Sequence, residues 1–239
     1  MKKSSSQILN QNQWDKVAEI YHHGIGRKGD RLHQKYIDPL IFEFRDGVKK
    51  ADILDAGCGN GYLLHGLAKY AKSMVGLDYS KRLLDFAKEH TRPLKNVLLL
   101  HANLVKDLPL KDSSFDVVIA NMVLQYLPQL KTFAKEAFRV LKKQGIFIVT
   151  VDHPGHQLFL RAQELKGHEN KKFVNTGSYF KPEMRLERSL WDKALLEYFH
   201  RPISDYLNPF TPYFTLEKME ENSEDGECPR ILALKWEKK

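Results

Sequence analysis

Gly57, Gly59 and Gly61 stand at alternate positions between an apolar run and the start of an amphipathic stretch, in ILDAGCGNGYLL, and Asp78 follows 17 residues later. A turn built this way has no Cβ where the chain bends back, so a ligand can approach bare main chain. Asp78 closes a second apolar run, Met74-Val75-Gly76-Leu77. A carboxylate there can accept hydrogen bonds from both hydroxyls of a ribose. The chemistry expected of these residues is nucleotide binding.

Asp55, two residues before the first glycine, narrows the choice of nucleotide. A dinucleotide sets a doubly negative pyrophosphate on a helix N-terminus, and its usual fingerprint is G-x-G-x-x-G. Here Tyr62 stands where the third glycine belongs, and Asp55 adds a negative charge. Repulsion between a carboxylate and a pyrophosphate amounts to roughly several kcal/mol at an effective dielectric near 20. The same carboxylate suits a ligand carrying an ammonium and a sulfonium. S-adenosylmethionine is such a ligand, with S-adenosylhomocysteine as its product.

Four segments carry a resemblance: ILDAGCGNGYLLHGLA, VGLDYSKRLLDFAKEH, LPLKDSSFDVVIANMVLQYL and FAKEAFRVLKKQGIFIV, in this order. With this spacing the chain resembles the class I S-adenosylmethionine-dependent methyltransferases, within the group that includes the ubiquinone and menaquinone biosynthesis enzymes. The flanks WDKVAEIY, GDRLHQKYIDP and YFHRPISDYL resemble a bacterial subgroup of it. The resemblance implies that Gly57, Cys58, Gly59 and Gly61 form the cofactor loop. It implies that Asp55 orients the methionine ammonium, often through water, and that Asp78 binds the ribose with Tyr79 against the adenine. Asn103 occupies a position where many relatives have aspartate, and it retains one acceptor for the adenine amine. Leu104 offers its backbone amide, and Asn121, at the tip of the fourth strand, faces the crevice where ligands of open α/β sheets bind. Local turn capping is the alternative for both asparagines. LKKQG stands where relatives commonly have LKPGG, which implies a slightly different turn.

Methyl transfer from a sulfonium is an in-line displacement, so alignment and exclusion of water matter more than acid or base. An acceptor hydroxyl or acidic carbon still needs a proton acceptor, and histidine is the natural one near neutral pH. His153, in VDHPG after the fifth strand, and His200, in YFHRPISDYL, are the candidates. Arg201 fits a substrate carboxylate or phosphate through a bidentate fork, or pairs with Asp205 one turn on. Tyr21, His33, Tyr126, Tyr198 and Tyr206 are aromatics for the open side of the cofactor, or the underside of a packed lid. Asn121 is followed by Met122-Val123-Leu124 and not by Pro-Pro-aromatic, which disfavours methylation of exocyclic base amines.

These residues need an α/β scaffold to hold them. Apolar periods place helices at 12–23 and 31–45, then strands at 52–56, 74–78, 97–101, 115–120 and 145–151. Helices fall between them at 61–71, 80–90 and 130–142, with at most one turn at 104–107. Such alternation means a doubly wound, mainly parallel sheet. After Pro154 the pattern breaks, with a hairpin from 185–191 and 195–200, a helix at 203–209 and strands at 214–221 and 231–237. The last two are separated by EENSEDGECPR, too short for a crossover, so they pair antiparallel. The resemblance implies the same: a seven-stranded Rossmann-like sheet whose last strand is antiparallel. The expected organisation is a helical cap over 1–48, a core over 49–153 and 202–239, and a lid over 154–201.

Length and composition fit one core: 239 residues, 42% hydrophobic. The net charge of +8 is spread through the first two thirds, and the C-terminal third is about neutral. A nucleic-acid substrate calls for a basic stripe, which is not apparent. No segment approaches the ~20 apolar residues of a membrane span, and the N-terminus does not read as a secretory signal. Cys58 and Cys228 have neither metal nor disulfide spacing, which points to a cytoplasmic chain. The expected function is methyl transfer to a small molecule. An RNA or protein methyltransferase, or a binding module without turnover, is the alternative; oligomeric state is open.

Overall fold

A computed structural model describes residues 5–46, 48, 50–156, 179–188, 195–223 and 228–239. Helix α1 (Ser5–Ile25) leads to a π-helical turn, His33–Ile37, that runs into α2 (Asp38–Phe44). Pro39 accounts for the widened turn: it lacks an N–H, and its ring would crowd the carbonyl four residues back. Asp38 N–H instead bonds the His33 carbonyl five residues away.

Then follow β1 (Ala51–Ala56), α3 (Tyr62–Leu67), β2 (Ala71–Asp78), α4 (Lys81–Thr91), β3 (Val97–His101), β4 (Phe115–Asn121), α5 (Lys131–Val140) and β5 (Leu141–Asp152). The hairpin β6 (Glu183–Arg188) and β7 (Leu195–His200), the short α6 (Ile203–Leu207), β8 (Phe214–Asn222) and β9 (Ile231–Lys238) complete the described chain. The main sheet has the order β3-β2-β1-β4-β5-β9-β8. β1 to β5 are parallel, β9 is antiparallel to β5, and β8 pairs antiparallel with β9 at the edge. Hence the antiparallel strand expected from the short loop is the last in sequence but lies inside the sheet.

Strand alternation divides the core between the two faces. Leu54, Ala56, Val118, Ala120, Phe147, Val149 and Leu234 meet α5, Phe210 and Trp236 on one side. Ile53, Val117, Ile119, Ile148 and Ala233 meet α2 and α3, through Ile41, Phe44, Leu63 and Leu64, on the other. In α5 the buried Phe133, Ala134, Ala137 and Val140 recur at helical spacing. Helix α1 lies along α4, joined by Ala18, Leu83 and Phe86.

Several boundaries differ from expectation. Residues 104–107 form no helix; Asn103 caps the turn, its Oδ1 accepting from Val105 N at 3.1 Å. The 145–151 strand begins at Leu141, and the turn before Gly145 is made at Gln144, whose φ is +60°. Lys142 lies between Asp52 and Asp116 at 2.8 and 2.9 Å, at the sheet end away from the glycine turn. The hairpin forms its own two-stranded sheet; its expected reach to Trp191, like residues 157–178 of the expected lid, lies outside the described residues. No helix among the described residues is long and apolar enough to cross a membrane.

Candidate active site

The strand order reverses between β1 and β4, and a cavity lies at their C-terminal ends, as the geometry of open α/β sheets requires. Its floor is the turn after β1. Gly57 has φ +85°, and a Cβ there would meet Val123 Cγ2 at 2.6 Å. Gly59 has φ +53°, and a Cβ there would press on the Tyr21 hydroxyl at 3.2 Å. Conformation favours glycine at both positions, and at Gly57 the space requires it as well. Asn60 ties this turn to the end of α1, donating from Nδ2 to the Gly26 carbonyl at 3.0 Å.

Asp78 ends β2 at the edge of that floor. Its Oδ2 accepts from Gly59 N and its Oδ1 from Ser80 N, both at 2.8 Å. Burial pushes its carboxyl up to about 6, although the amides of Ser80, Gly59 and Tyr79 pull the other way. Ser80 caps α4 and donates to Asp15 Oδ1 at 2.6 Å, which fastens α1 over the turn. Tyr79 lines the cavity with its ring stacked on His101 at 5.6 Å, and His101 Nε2 donates to the Tyr79 carbonyl.

Asp55 is placed differently from Asp78. It is 1% exposed, does not line the cavity, and its Oδ2 has no hydrogen-bond partner. Burial, then the charge of Asp78, pushes its carboxyl up to about 7. It lies at the end of β1, just before the glycine turn. Cys58 and Gly61 belong to the same turn without lining the cavity, whereas Asn103 and Leu104 do line it.

Asn121 lines the cavity at the tip of β4, yet both ends of its amide are engaged. Nδ2 donates to Tyr62 Oη at 2.7 Å, and Oδ1 accepts from Thr150 Oγ1 at 2.6 Å. Tyr62 in turn donates to Asp38 Oδ1 at 3.1 Å. The next residue, Met122, has φ +52° and lines the cavity, held by Thr150 O at 2.9 Å. A non-glycine residue in that region is strained, and such strain gathers at functional sites.

Both histidines expected as proton acceptors fall outside the cavity lining. His153 is occupied at both ring nitrogens: Nε2 meets Glu221 Oε1 at 2.7 Å and Nδ1 accepts from Gly155 N at 3.0 Å. Burial lowers its basicity, partly offset by Glu221. His200 is buried and donates from Nε2 to the Tyr179 carbonyl at 3.0 Å. Arg201, also buried, donates to the carbonyls of Leu124 at 3.4 Å, Phe199 at 3.2 Å, and Leu127. Its bonds brace the turn after β4 against β7. Tyr198 and Tyr206 are likewise core residues, 1% exposed each.

Tyr21, His33 and Tyr126 do reach the cavity. The Tyr126 ring meets Trp14 edge-on at 4.9 Å and Tyr198 at 6.0 Å. Burial, and then the charges of Asp78, Asp55 and Asp30, raise the Tyr21 phenol well above its usual range. His33 Nδ1 donates to Asp30 Oδ1 at 2.8 Å, and His33 N donates to the same oxygen at 3.0 Å. Burial alone would raise Asp30, but the His33 bonds outweigh it and leave its carboxyl low.

Sequence reasoning missed Trp14, Asp30, Gln125, Asp152, Glu197 and Arg230 of the lining. Gln125 and Glu197 carried a usable signal: each is a polar residue inside an apolar run, MVLQYL and LLEYF.

Residues 54–149 match the family model described as a methyltransferase domain. The chain is 31% identical over 138 residues to the ubiquinone biosynthesis O-methyltransferase of Pelagibacter ubique, covering 53% of this chain and 57% of that protein. It is 36% identical over 106 residues to the demethylmenaquinone methyltransferase of Staphylococcus aureus, covering 43% and 44%. The chain thus spans about half the length of these curated relatives. In fold it is similar to the crystal structure of an S-adenosylmethionine-dependent methyltransferase from Mesorhizobium loti, with TM-score 0.64, 19% identity, and 84% and 97% of the two chains covered.

Proposed function

We propose that this chain, whose residues 54–149 match a methyltransferase-domain family, is a class I S-adenosylmethionine-dependent methyltransferase that transfers a methyl group from S-adenosylmethionine to a small-molecule acceptor. The observation that carries the proposal is Asp78, anchored by Gly59 N and Ser80 N at the rim of a glycine floor. The cofactor fits these residues. Each Asp78 oxygen keeps a lone pair for a ribose hydroxyl, and the orphaned Asp55 oxygen wants a donor or a positive charge nearby.

S-adenosylmethionine, when bound, supplies an electrophilic methyl carbon on a sulfonium. The protein has to orient and enclose. In this reading Asp78 holds the ribose and Tyr79, steadied by His101, flanks the base beside Asn103 and Leu104. Asp55, through the turn, favours a cationic amino-acid tail. Helix α1, the turn after β4 and strand β7 wall the cavity with Trp14, Tyr126 and Glu197, which excludes water from the methyl group. The cap at 1–48 and the segment at 154–201, together with the turn after β4, then choose the acceptor, and the rest of 49–153 with 202–239 holds the donor.

A small acceptor is supported by that aromatic wall, by the diffuse charge, and by the quinone-biosynthesis names of the two relatives. Cys58 and Cys228 are not joined in a disulfide, which agrees with a reducing, cytoplasmic compartment. Calorimetry tests the donor: binding of S-adenosylmethionine and S-adenosylhomocysteine is expected, and binding of NADH without either sinks the proposal. Incubation with tritiated donor and cell extract tests the acceptor. Label is expected among small molecules, and label confined to RNA or protein overturns that part.

A further inference from the structure

We infer that Gln125 and Glu197 form the acceptor subsite of this cavity, selecting an uncharged acceptor that gives up one O–H or N–H proton to Glu197. The inference rests on the methyltransferase reading above and deepens it. Gln125 is 0% exposed and lines the cavity, and neither its Oε1 nor its Nε2 has a hydrogen-bond partner. Glu197 is 4% exposed and lines the same cavity, and its carboxylate has no ion pair or hydrogen bond among the described residues. A buried amide or carboxylate without partners is costly. Two of them on one cavity wall are explained when a ligand supplies the missing bonds.

The backbone around them is held firmly. Arg201 clamps the carbonyls of Leu124 and Leu127, on either side of Gln125, to the strand carrying Glu197. Gln13 of α1 accepts from Glu197 N at 3.0 Å. Trp14 and Tyr198 pack edge-on against Tyr126, the residue after Gln125. The Arg201 and Gln13 bonds hold the backbone on which Gln125 and Glu197 stand.

The charges decide what enters. Asp30, Asp78, Asp152 and Glu197 line the cavity against Arg230 and His33, so a carboxylate or phosphate acceptor meets repulsion. Burial raises the Glu197 carboxyl, which makes it a more basic proton acceptor than an exposed glutamate. In the transfer, a lone pair on the acceptor oxygen or nitrogen bonds the methyl carbon while the carbon–sulfur bond breaks and its electron pair returns to sulfur. The acceptor proton passes to a Glu197 oxygen. A sulfonium and a carboxylate become a neutral thioether and a neutral acid, so charge balances. The Gln125 amide bonds the acceptor on its other side and fixes its angle of approach.

The test uses the full chain, with and without saturating S-adenosylhomocysteine, and three probes: phenol as the O–H source, aniline as the N–H source, and benzoate as the anion. Ligand-observed NMR is expected to give phenol or aniline an affinity at least tenfold above that of benzoate. Glu197→Gln should raise benzoate affinity about tenfold, and Gln125→Leu should weaken the preferred neutral probe about tenfold. Because both side chains lack partners in the free protein, each variant should also raise Tm, by about 2–4 °C. A purely structural role predicts a fall. Benzoate binding as tightly as the neutral probes, no probe binding at all, or a lowered Tm in both variants overturns the inference. Failure of S-adenosylhomocysteine to bind strikes the cofactor reading instead; the probe and Tm measurements on free protein still judge Gln125 and Glu197.

Discussion

The two halves of the cavity solve opposite problems. On the floor, Asp78 is held by main-chain amides, Asn121 is saturated by Tyr62 and Thr150, and the glycine turn presents backbone. On the wall, Gln125 is buried with both polar side-chain atoms unmet, and Glu197 is buried with no ion pair or hydrogen bond to its carboxylate among the described residues. A half made of main chain and satisfied groups recognises one invariant ligand. A half made of side chains that need partners is shaped by what it binds, and it carries the cost until binding occurs. The floor has one exception, the orphaned oxygen of Asp55.

That exception gives the largest expected effect. The folded values of Asp55 and Asp78, about 7 and about 6, lie above the ordinary carboxylate value. Such a group contributes stability fully present below its unfolded value near 4 and lost as pH rises through its folded value. For Asp55 the span corresponds to at most about 4 kcal/mol. Chemical denaturation of the free protein should therefore show falling stability between about pH 4 and pH 7. Asp55→Asn should flatten most of the decline. S-adenosylmethionine should reduce it, since a cationic ligand favours the ionised carboxylate; a decline that the cofactor leaves unchanged would separate Asp55 from the site.

Asp78→Ala ranks next. Loss of its bonds to a ribose should weaken S-adenosylhomocysteine about 100-fold, roughly 3 kcal/mol, by calorimetry. A tenfold loss or less would mean that the floor binds by shape alone. Arg201→Leu probes the join between the halves. It strips donors from the carbonyls of Leu124, Leu127 and Phe199 and should cost about 2 kcal/mol of stability, while leaving S-adenosylhomocysteine binding near normal. A matching loss of cofactor affinity would show that floor and wall form one unit. The smallest effect is expected from His153→Gln, about 1 kcal/mol in stability for its bonds to Glu221 and Gly155. Cofactor affinity should stay within twofold, and a large drop there would return His153 to the site.

The same division governs what was legible in the chain. Gly57, Gly59 and Asp78 were readable because their work is local: a turn, a strand end and a short sequence separation. The antiparallel last strand followed from the length of one loop. His153 and His200 misled because a place at a strand end does not say what covers it; Glu221 of β8 and Tyr179 before the hairpin do. Arg201 looked like a ligand fork and is a brace, since two of its carbonyl partners, Leu124 and Leu127, lie more than 70 residues earlier. Asn103 and Asn121 reached the cavity with part of their hydrogen bonding already used in turns and side-chain networks.

From its residues alone the chain settled a parallel α/β sheet and a glycine turn with a carboxylate beside it, because strand periodicity, glycine conformation and one acid at a strand tip are properties of short segments. Tertiary structure alone decided which polar side chains are buried without partners. A glutamine in an apolar run and a glutamate in a hairpin acquire meaning only when helix α1, the turn after β4 and strand β7 close around them and remove water.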